Sequence, residues 1–151
     1  MKKQHKKIAI IFDFMRTLYN PESLALYSET LSLLEFLNEF SELHLITRKE
    51  GQREQLVEEL GIKKFFTSIN FLDRKTQKSF QKIINPKKEM YEEIYCIGDV
   101  VWEEIMIGNK LGWKTIWLKH GKFGNTIPKE EAEIPWKVIT SLYEVKEIFK
   151  K

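Results

Sequence analysis

Residues 7–18 read KIAIIFDFMRTL. Within them Lys7–Phe12 is a short, continuous, β-branched apolar run that stops at Asp13. A strand with one wet face alternates apolar and polar residues, whereas an unbroken run suits a strand covered on both faces. The same signal recurs at Leu43–Ile46, which ends at Thr47, and more weakly within Phe65–Leu72. It returns at Glu93–Ile97, running into Gly98-Asp99, and at Lys114–Leu118. Helical patterns lie between these runs. Asn20-Pro21 breaks the chain, and the spacing predicts a helix from Ser23 with Leu24, Tyr27, Leu31, Leu34 and Leu37 on one stripe. A polar helix through Leu56, Val57 and Leu60 is closed by Gly61, and Thr76–Ile84 reads as a helix stopped by Asn85-Pro86. Val101–Leu111, closed by Gly112, and a last helix around Ser141–Phe149 complete the pattern. Five strands alternating with helices predict an α/β fold, a doubly wound, Rossmann-like parallel sheet with helices on both faces. With 151 residues the expectation is one domain, 1–151, whose first six residues form a basic, flexible tail.

Composition narrows the function classes. Hydrophobic residues at 42% and charged residues at 31% describe a globular chain rather than a disordered or fibrous one. The single Cys96 excludes a disulfide framework and a cysteine-rich zinc module. The apolar run Ile8–Phe12 is far short of the ~20 residues that span a bilayer, and no cleavage-site pattern follows the basic Met1–Lys7. The expectation is a soluble protein of the reducing cytoplasm with no membrane association. A net charge of +3, evenly scattered, does not indicate nucleic-acid binding. No Gly-rich turn follows any strand, so a dinucleotide fingerprint is excluded.

The acidic residues say more. Of 22, only Asp13, Asp73 and Asp99 are Asp; the rest are Glu, which supports solvated helices and needs no functional explanation. Aspartate is short, helix-unfriendly and suited to gripping backbone or metal. Ligands of doubly wound sheets bind outside the carboxyl ends of the strands, near the switch in strand order. Asp13, Thr47 and Asp99 stand at three such ends, and together they predict a site there. Asp73 is expected to be a loop or cap residue.

The ordered set of FDFMRTL at residues 12–18, Thr47, Lys75, and YCIGDVVWEE at residues 95–104 resembles the haloacid dehalogenase-like (HAD) superfamily, most of whose members are magnesium-dependent phosphatases. The resemblance runs from about Ile8 to Leu118, with a matching tail around Val138–Val145. It implies that Asp13 is the nucleophile, forming an acyl-phosphate, and that Mg²⁺ is held by Asp13, the backbone carbonyl of Met15, Asp99 and, directly or through water, Glu104. It implies that Thr47 donates to a phosphate oxygen and that Lys75, preferred to Lys78 for its spacing to the inward Phe80, offsets charge on nucleophile and phosphate. Thr47 with Arg48, Arg16 and Trp102 is then the expected substrate-binding set, Trp102 being either a helix-packing residue or a wall of the site.

Two features depart from, or refine, that pattern. Family phosphatases carry a second Asp two residues after the nucleophile, which protonates the leaving group and activates water; this chain has Met15 there, and Arg16 in place of a usual Gly. The metal ligand at this position is a backbone carbonyl and is retained. The expectation is a phosphatase of reduced efficiency. One alternative is an impaired metal- and phosphate-binding protein; another is a receiver-like phospho-acceptor domain using Asp73 and Lys119. The 33 residues between Asp13 and Thr47, and the 27 between Thr47 and Lys75, leave no room for the lids that the family inserts there, so the chain is expected to be capless. An open site suits a bulky or macromolecular phosphorylated substrate, or is closed by a neighbouring subunit. His5, His44 and His120 have no metal-ligand spacing, Cys96 reads as core, and residues 119–122 read as a solvated turn.

Overall fold

The computed structural model describes residues 6–150. The chain begins with β1 (Ile8–Asp13), a small antiparallel hairpin of β2 (Tyr19–Asn20) and β3 (Ala25–Leu26), and α1 (Thr30–Asn38). It continues through β4 (Ser41–Arg48), α2 (Arg53–Glu59), β5 (Phe66–Leu72), α3 (Gln77–Ile84) and β6 (Glu93–Gly98). A π-helical turn, Val101–Ile105, runs into α4 (Met106–Lys110), followed by β7 (Lys114–Leu118), β8 (Lys137–Ile139) and α5 (Tyr143–Phe149). Six strands form one parallel sheet in the order β5-β4-β1-β6-β7-β8.

The unbroken apolar run of β1 has its cause in this order, because β1 is central and covered twice. Ile10 and Phe12 face Leu33, Leu34 and Leu37 of α1 and Val145 of α5. Ala9 and Ile11 face the other way, toward Phe80 and Ile84 of α3 and Ile107 of α4. All are buried, and each large side chain removed from water contributes about 1.5–3 kcal/mol.

The structure differs from the sequence reading in several places. The sheet has a sixth strand, β8: an edge strand in which only Ile139 is buried shows no apolar run. The helix expected from Ser23 starts at Thr30. Asn20 accepts the Glu22 N–H on its side-chain oxygen and turns the chain into the hairpin, with Leu24 at φ +57° and exposed. Leu24 and Leu31 share the helical spacing but stay in water; the buried stripe is Thr30, Leu33, Leu34 and Leu37. Asp73 lies in the loop before α3, and Thr76 caps that helix: its hydroxyl accepts the Ser79 N–H, and the Ser79 hydroxyl accepts the Thr76 N–H. The helix expected over Val101–Leu111 opens with the π turn. Gly61 (φ +69°) and Gly112 (φ +80°) do close their helices in the left-handed region. Of the basic segment, residues 1–5, His5 among them, lie outside the described residues; Lys6 is half-buried and donates to the Asn38 carbonyl.

The hairpin and α1 fill the chain between Asp13 and Thr47, and α2 and β5 fill most of that between Thr47 and Lys75, so no lid domain is inserted at either place. Numbered by their succession in the chain, the parallel strands run 3-2-1-4-5-6, whereas receiver domains wind 2-1-3-4-5. That order removes the receiver reading. Among the described residues no helix is long and apolar enough to cross a membrane.

His44 on β4 sits in a buried polar network, bonded to Ser68 Oγ (2.7 Å) and Tyr91 Oη (3.2 Å), with Glu42 and Lys87 beyond. Burial drives its pKa down from 6.5 to about 4; Glu42 opposes the shift and Lys87 adds to it. Between those values the unfolded chain binds a proton that the folded one does not. Stability is therefore present in full above pH 6.5 and falls as pH drops toward 4. The loss between pH 7.5 and 5 should be about 2 kcal/mol. Urea midpoints at the two pH values measure it, and His44→Gln, which retains hydrogen-bonding capacity without the titration, should decline less by that amount.

Candidate active site

The switch in strand order falls between β1, which ends in Asp13, and β6, which is followed directly by Asp99. Asp13 closes β1 and is 3% exposed; its Oδ1 accepts from Lys75 Nζ at 2.7 Å and its Oδ2 from Thr17 Oγ1 at 3.1 Å. Lys75 arrives from the loop between β5 and α3, and its ammonium also lies 3.3 Å from Glu104 Oε2 and 3.2 Å from Glu103 Oε1. Burial works against its charge, but Asp13, Glu104 and Glu103 outweigh that and hold its pKa well above the ordinary lysine value. Lys78 borders a different surface depression.

Asp99 follows β6. Its backbone carbonyl accepts from the Trp117 indole at 3.1 Å, and its Oδ2 is buried with no hydrogen-bond partner. Glu104, fully buried in the π turn, accepts the N–H groups of Asp99 (3.0 Å) and Val100 (3.1 Å) on Oε1. It thus fixes the backbone that presents Asp99. A Cβ on Gly98 would fall on the Glu104 side chain, so the close approach requires glycine there. Burial first, then the charges of Asp13 and Glu104, raises the Asp99 pKa; burial and Asp13 do the same to Glu104.

Carboxylate oxygens of Asp13, Asp99 and Glu104 lie within 4.8 Å of one another. Three acids against one ammonium, with an orphaned oxygen among them, are a donor set for a hard divalent cation, and all-oxygen ligands fit Mg²⁺ better than zinc. Glu104 already serves two backbone N–H groups and Lys75, so it supports the set from behind.

Every other expected site residue (Asp13, Met15, Arg16, Thr47, Arg48, Lys75, Asp99 and Trp102) lines one open cavity of about 360 Å³. Arg16 sits at φ +63°, where glycine would be unstrained. Three contacts hold it there. Its N–H donates to Tyr19 carbonyl at 2.7 Å, its carbonyl accepts from His120 Nε2 at 2.6 Å, and its guanidinium pairs with Glu22 at 2.7 Å. Arg48 pairs with Glu103 at 2.9 Å. Trp102 is 43% exposed.

Sequence reasoning missed six of the cavity's lining residues, Glu50 and Val100 among them. Arg53, at the start of α2, donates to Thr47 Oγ1 at 2.6 Å. Glu103 bridges Lys75 and Arg48. Lys122 and Phe123 reach the cavity from the loop after β7, which was expected to be only a solvated turn. That loop's place at the carboxyl edge of the sheet was the available signal; for Arg53 and Glu103 there was none beyond proximity to Thr47 and Glu104.

Residues 73–145 match the family model described as HAD-hydrolase-like. No curated protein matches the chain. Among solved structures, the chain is similar to the HAD-hydrolase YfnB from Bacillus subtilis, a structure bound to magnesium. The TM-score is 0.78 at 13% identity, covering 97% of this chain and 100% of that one. It is also similar to a haloacid dehalogenase-like hydrolase from Burkholderia xenovorans, with TM-score 0.78, 9% identity, and 96% and 97% of the two chains covered. A 2-haloacid dehalogenase from Pseudomonas syringae aligns at TM-score 0.67 and 17% identity over 83% of this chain and 53% of its own. The fold and the pattern of its C-terminal half are those of the HAD-like hydrolases, without a cap domain.

Proposed function

We propose that the protein is a magnesium-dependent, capless phosphohydrolase that works through an aspartyl-phosphate at Asp13. The observation that carries this reading is the orphaned, buried Asp99 oxygen beside a carboxylate that Lys75 already grips at 2.7 Å. Such a cluster of buried carboxylates is relieved either by a proton or by a cation, and a cation between two aspartates recruits an anionic substrate. Asp13, the Met15 carbonyl, Asp99 and, directly or through water, Glu104 would hold Mg²⁺, which when bound neutralises charge on the transferring group. An Asp13 oxygen attacks phosphorus, the bond to the leaving group breaks, and the leaving oxygen takes its electron pair. Water then attacks the phosphorus of the aspartyl-phosphate, releasing inorganic phosphate and restoring the carboxylate.

Thr47 and Arg53 act together in this scheme. A guanidinium cannot accept a hydrogen bond, so Thr47 Oγ1 accepts from Arg53 and its own proton is left to donate to a phosphate oxygen. Lys75 offsets charge on nucleophile and phosphate. Among the described residues, a free carboxylic acid to protonate the leaving group is what the cavity lacks. Met15 cannot supply the proton, Glu103 is paired with Lys75 and Arg48, and Glu50 lies 3.6 Å from Arg53. The reading is therefore of an enzyme that favours good leaving groups, acting on phosphorylated small molecules or macromolecules in the cytoplasm.

Met15 favours one competing reading, a phospho-acceptor that binds metal and phosphate and loses the phosphoryl group slowly. Phosphate release from acetyl phosphate with Mg²⁺ separates the two. Many equivalents per protein, stopped by chelator, are expected; release ending at one equivalent supports the acceptor, and release untouched by chelator removes the metal from the scheme. Met15→Asp should raise hydrolysis of alkyl phosphate esters about tenfold or more, toward the 10²–10⁴ typical of general acid–base assistance. Acetyl phosphate should gain less, and equal changes on both substrates would count against a missing acid.

A further inference from the structure

Resting on the phosphohydrolase reading, we propose that the leaving group is a phenol: the site takes aryl phosphate monoesters, whose ring docks against Trp102 and Phe123.

Two independent observations meet in this assignment. The first is geometric. Trp102, on the π turn three residues after Asp99, keeps 43% of its surface exposed at the mouth of the cavity that holds Asp13 and Asp99. Phe123, from the loop after β7, stands at 86° to it with ring centroids 5.4 Å apart. Lys122 lies 5.3 Å from the Phe123 ring centre. Two perpendicular rings form a corner, which receives a third flat ring stacked on one wall and edge-on to the other. An aliphatic group would gain only buried area there.

The second observation is chemical. Among the described residues no carboxylic acid stands free to protonate the leaving group, since Met15 occupies the expected position and the carboxylates of Glu103 and Glu50 are near cations. An aliphatic alcohol is about as weak an acid as water and leaves poorly without a proton. A phenol, with a pKa of about 10 as in tyrosine, leaves as its anion. When Asp13 bonds to phosphorus, the phosphorus–oxygen bond breaks, the phenoxide carries off the electron pair, and it takes a proton from solvent afterwards. Of the groups that leave unaided, the aromatic corner selects the flat ones. The uncapped mouth admits the ring either as a small molecule or as a side chain of a peptide.

Binding of phosphonates, which cannot be hydrolysed, tests the ring contact without turnover. With Mg²⁺ present, the wild type should bind phenylphosphonate about tenfold tighter than methylphosphonate, the size of one good aromatic contact. Trp102→Ala should bring the ratio to about one, and Trp102→Phe should restore most of it. A half-exposed position tolerates both substitutions, and circular dichroism verifies the fold. An unchanged ratio in Trp102→Ala overturns the proposal, as does a wild-type ratio near one. If the wild type binds neither phosphonate and hydrolyses no acetyl phosphate, the phosphohydrolase reading has failed and this proposal with it. Hydrolysis of acetyl phosphate with no ring preference fails this proposal alone. Phenyl phosphate and a phosphotyrosyl peptide then distinguish the source: turnover of either supports a phenol leaving group, and turnover of neither beside active acetyl phosphate hydrolysis overturns it.

Discussion

Asp13→Asn should lower phosphate release from acetyl phosphate by about 10³-fold or more while leaving the fold intact. A catalytic nucleophile has no substitute within the site, and its loss removes the covalent route altogether. Asparagine is nearly isosteric with aspartate, so the packing at the end of β1 is undisturbed. Its amide oxygen can still accept from Lys75 or Thr17, which lie 2.7 and 3.1 Å from the two carboxylate oxygens. Magnesium affinity should weaken rather than vanish, because Asp99 and the Met15 carbonyl are untouched. Beryllofluoride, an acyl-phosphate mimic, should bind the wild type with Mg²⁺ and fail to bind the variant. Retention of more than a tenth of wild-type turnover would show that Asp13 is not the acceptor.

Asp99→Asn should act in opposite directions on the metal-free and metal-loaded protein. The buried Asp99 oxygen has no partner, and burial together with Asp13 and Glu104 disfavours its charge. Replacing it with a neutral amide removes that repulsion and supplies an N–H that Asp13 can accept. In chelator the variant should be more stable than the wild type by about 1–3 kcal/mol, the cost of an unsatisfied buried polar group. Added Mg²⁺ should stabilise the wild type by about 2.7 kcal/mol at a hundred times its dissociation constant and the variant hardly at all. Thermal melts in chelator and in saturating Mg²⁺ read both effects. A variant that is less stable in chelator and still gains from Mg²⁺ would make Asp99 a structural residue.

Much of the architecture was legible in one dimension, for a physical reason. A strand buried on both faces is dominated by apolar residues, so the runs at Lys7–Phe12 and Lys114–Leu118 declare themselves, and helices must separate strands that run parallel. Asp13 and Asp99 were legible in the same way: each ends such a run, and a strand end at the carboxyl edge follows from the fold alone. Signals confined to the surface were not legible. β8 is exposed along one edge, and the Asn20–Leu26 hairpin shares helical spacing with α1, so neither carries an apolar signature.

What only the tertiary structure decided is which side chains meet. Lys75 reaches Asp13 across 62 positions, Arg53 turns back onto Thr47, and Trp102 meets Phe123 across 21 residues. Local spacing fixes the face of an element on which a residue lies, through periods of two and 3.6 residues. It does not fix the distance between loops at the ends of different strands. That distance depends on strand order and register: β1 lies between β4 and β6, with Phe12 level with Leu45 and Ile97. This order and register bring the ends of three strands to one edge, and with them the acids, the lysine and the aromatic corner around a single cavity.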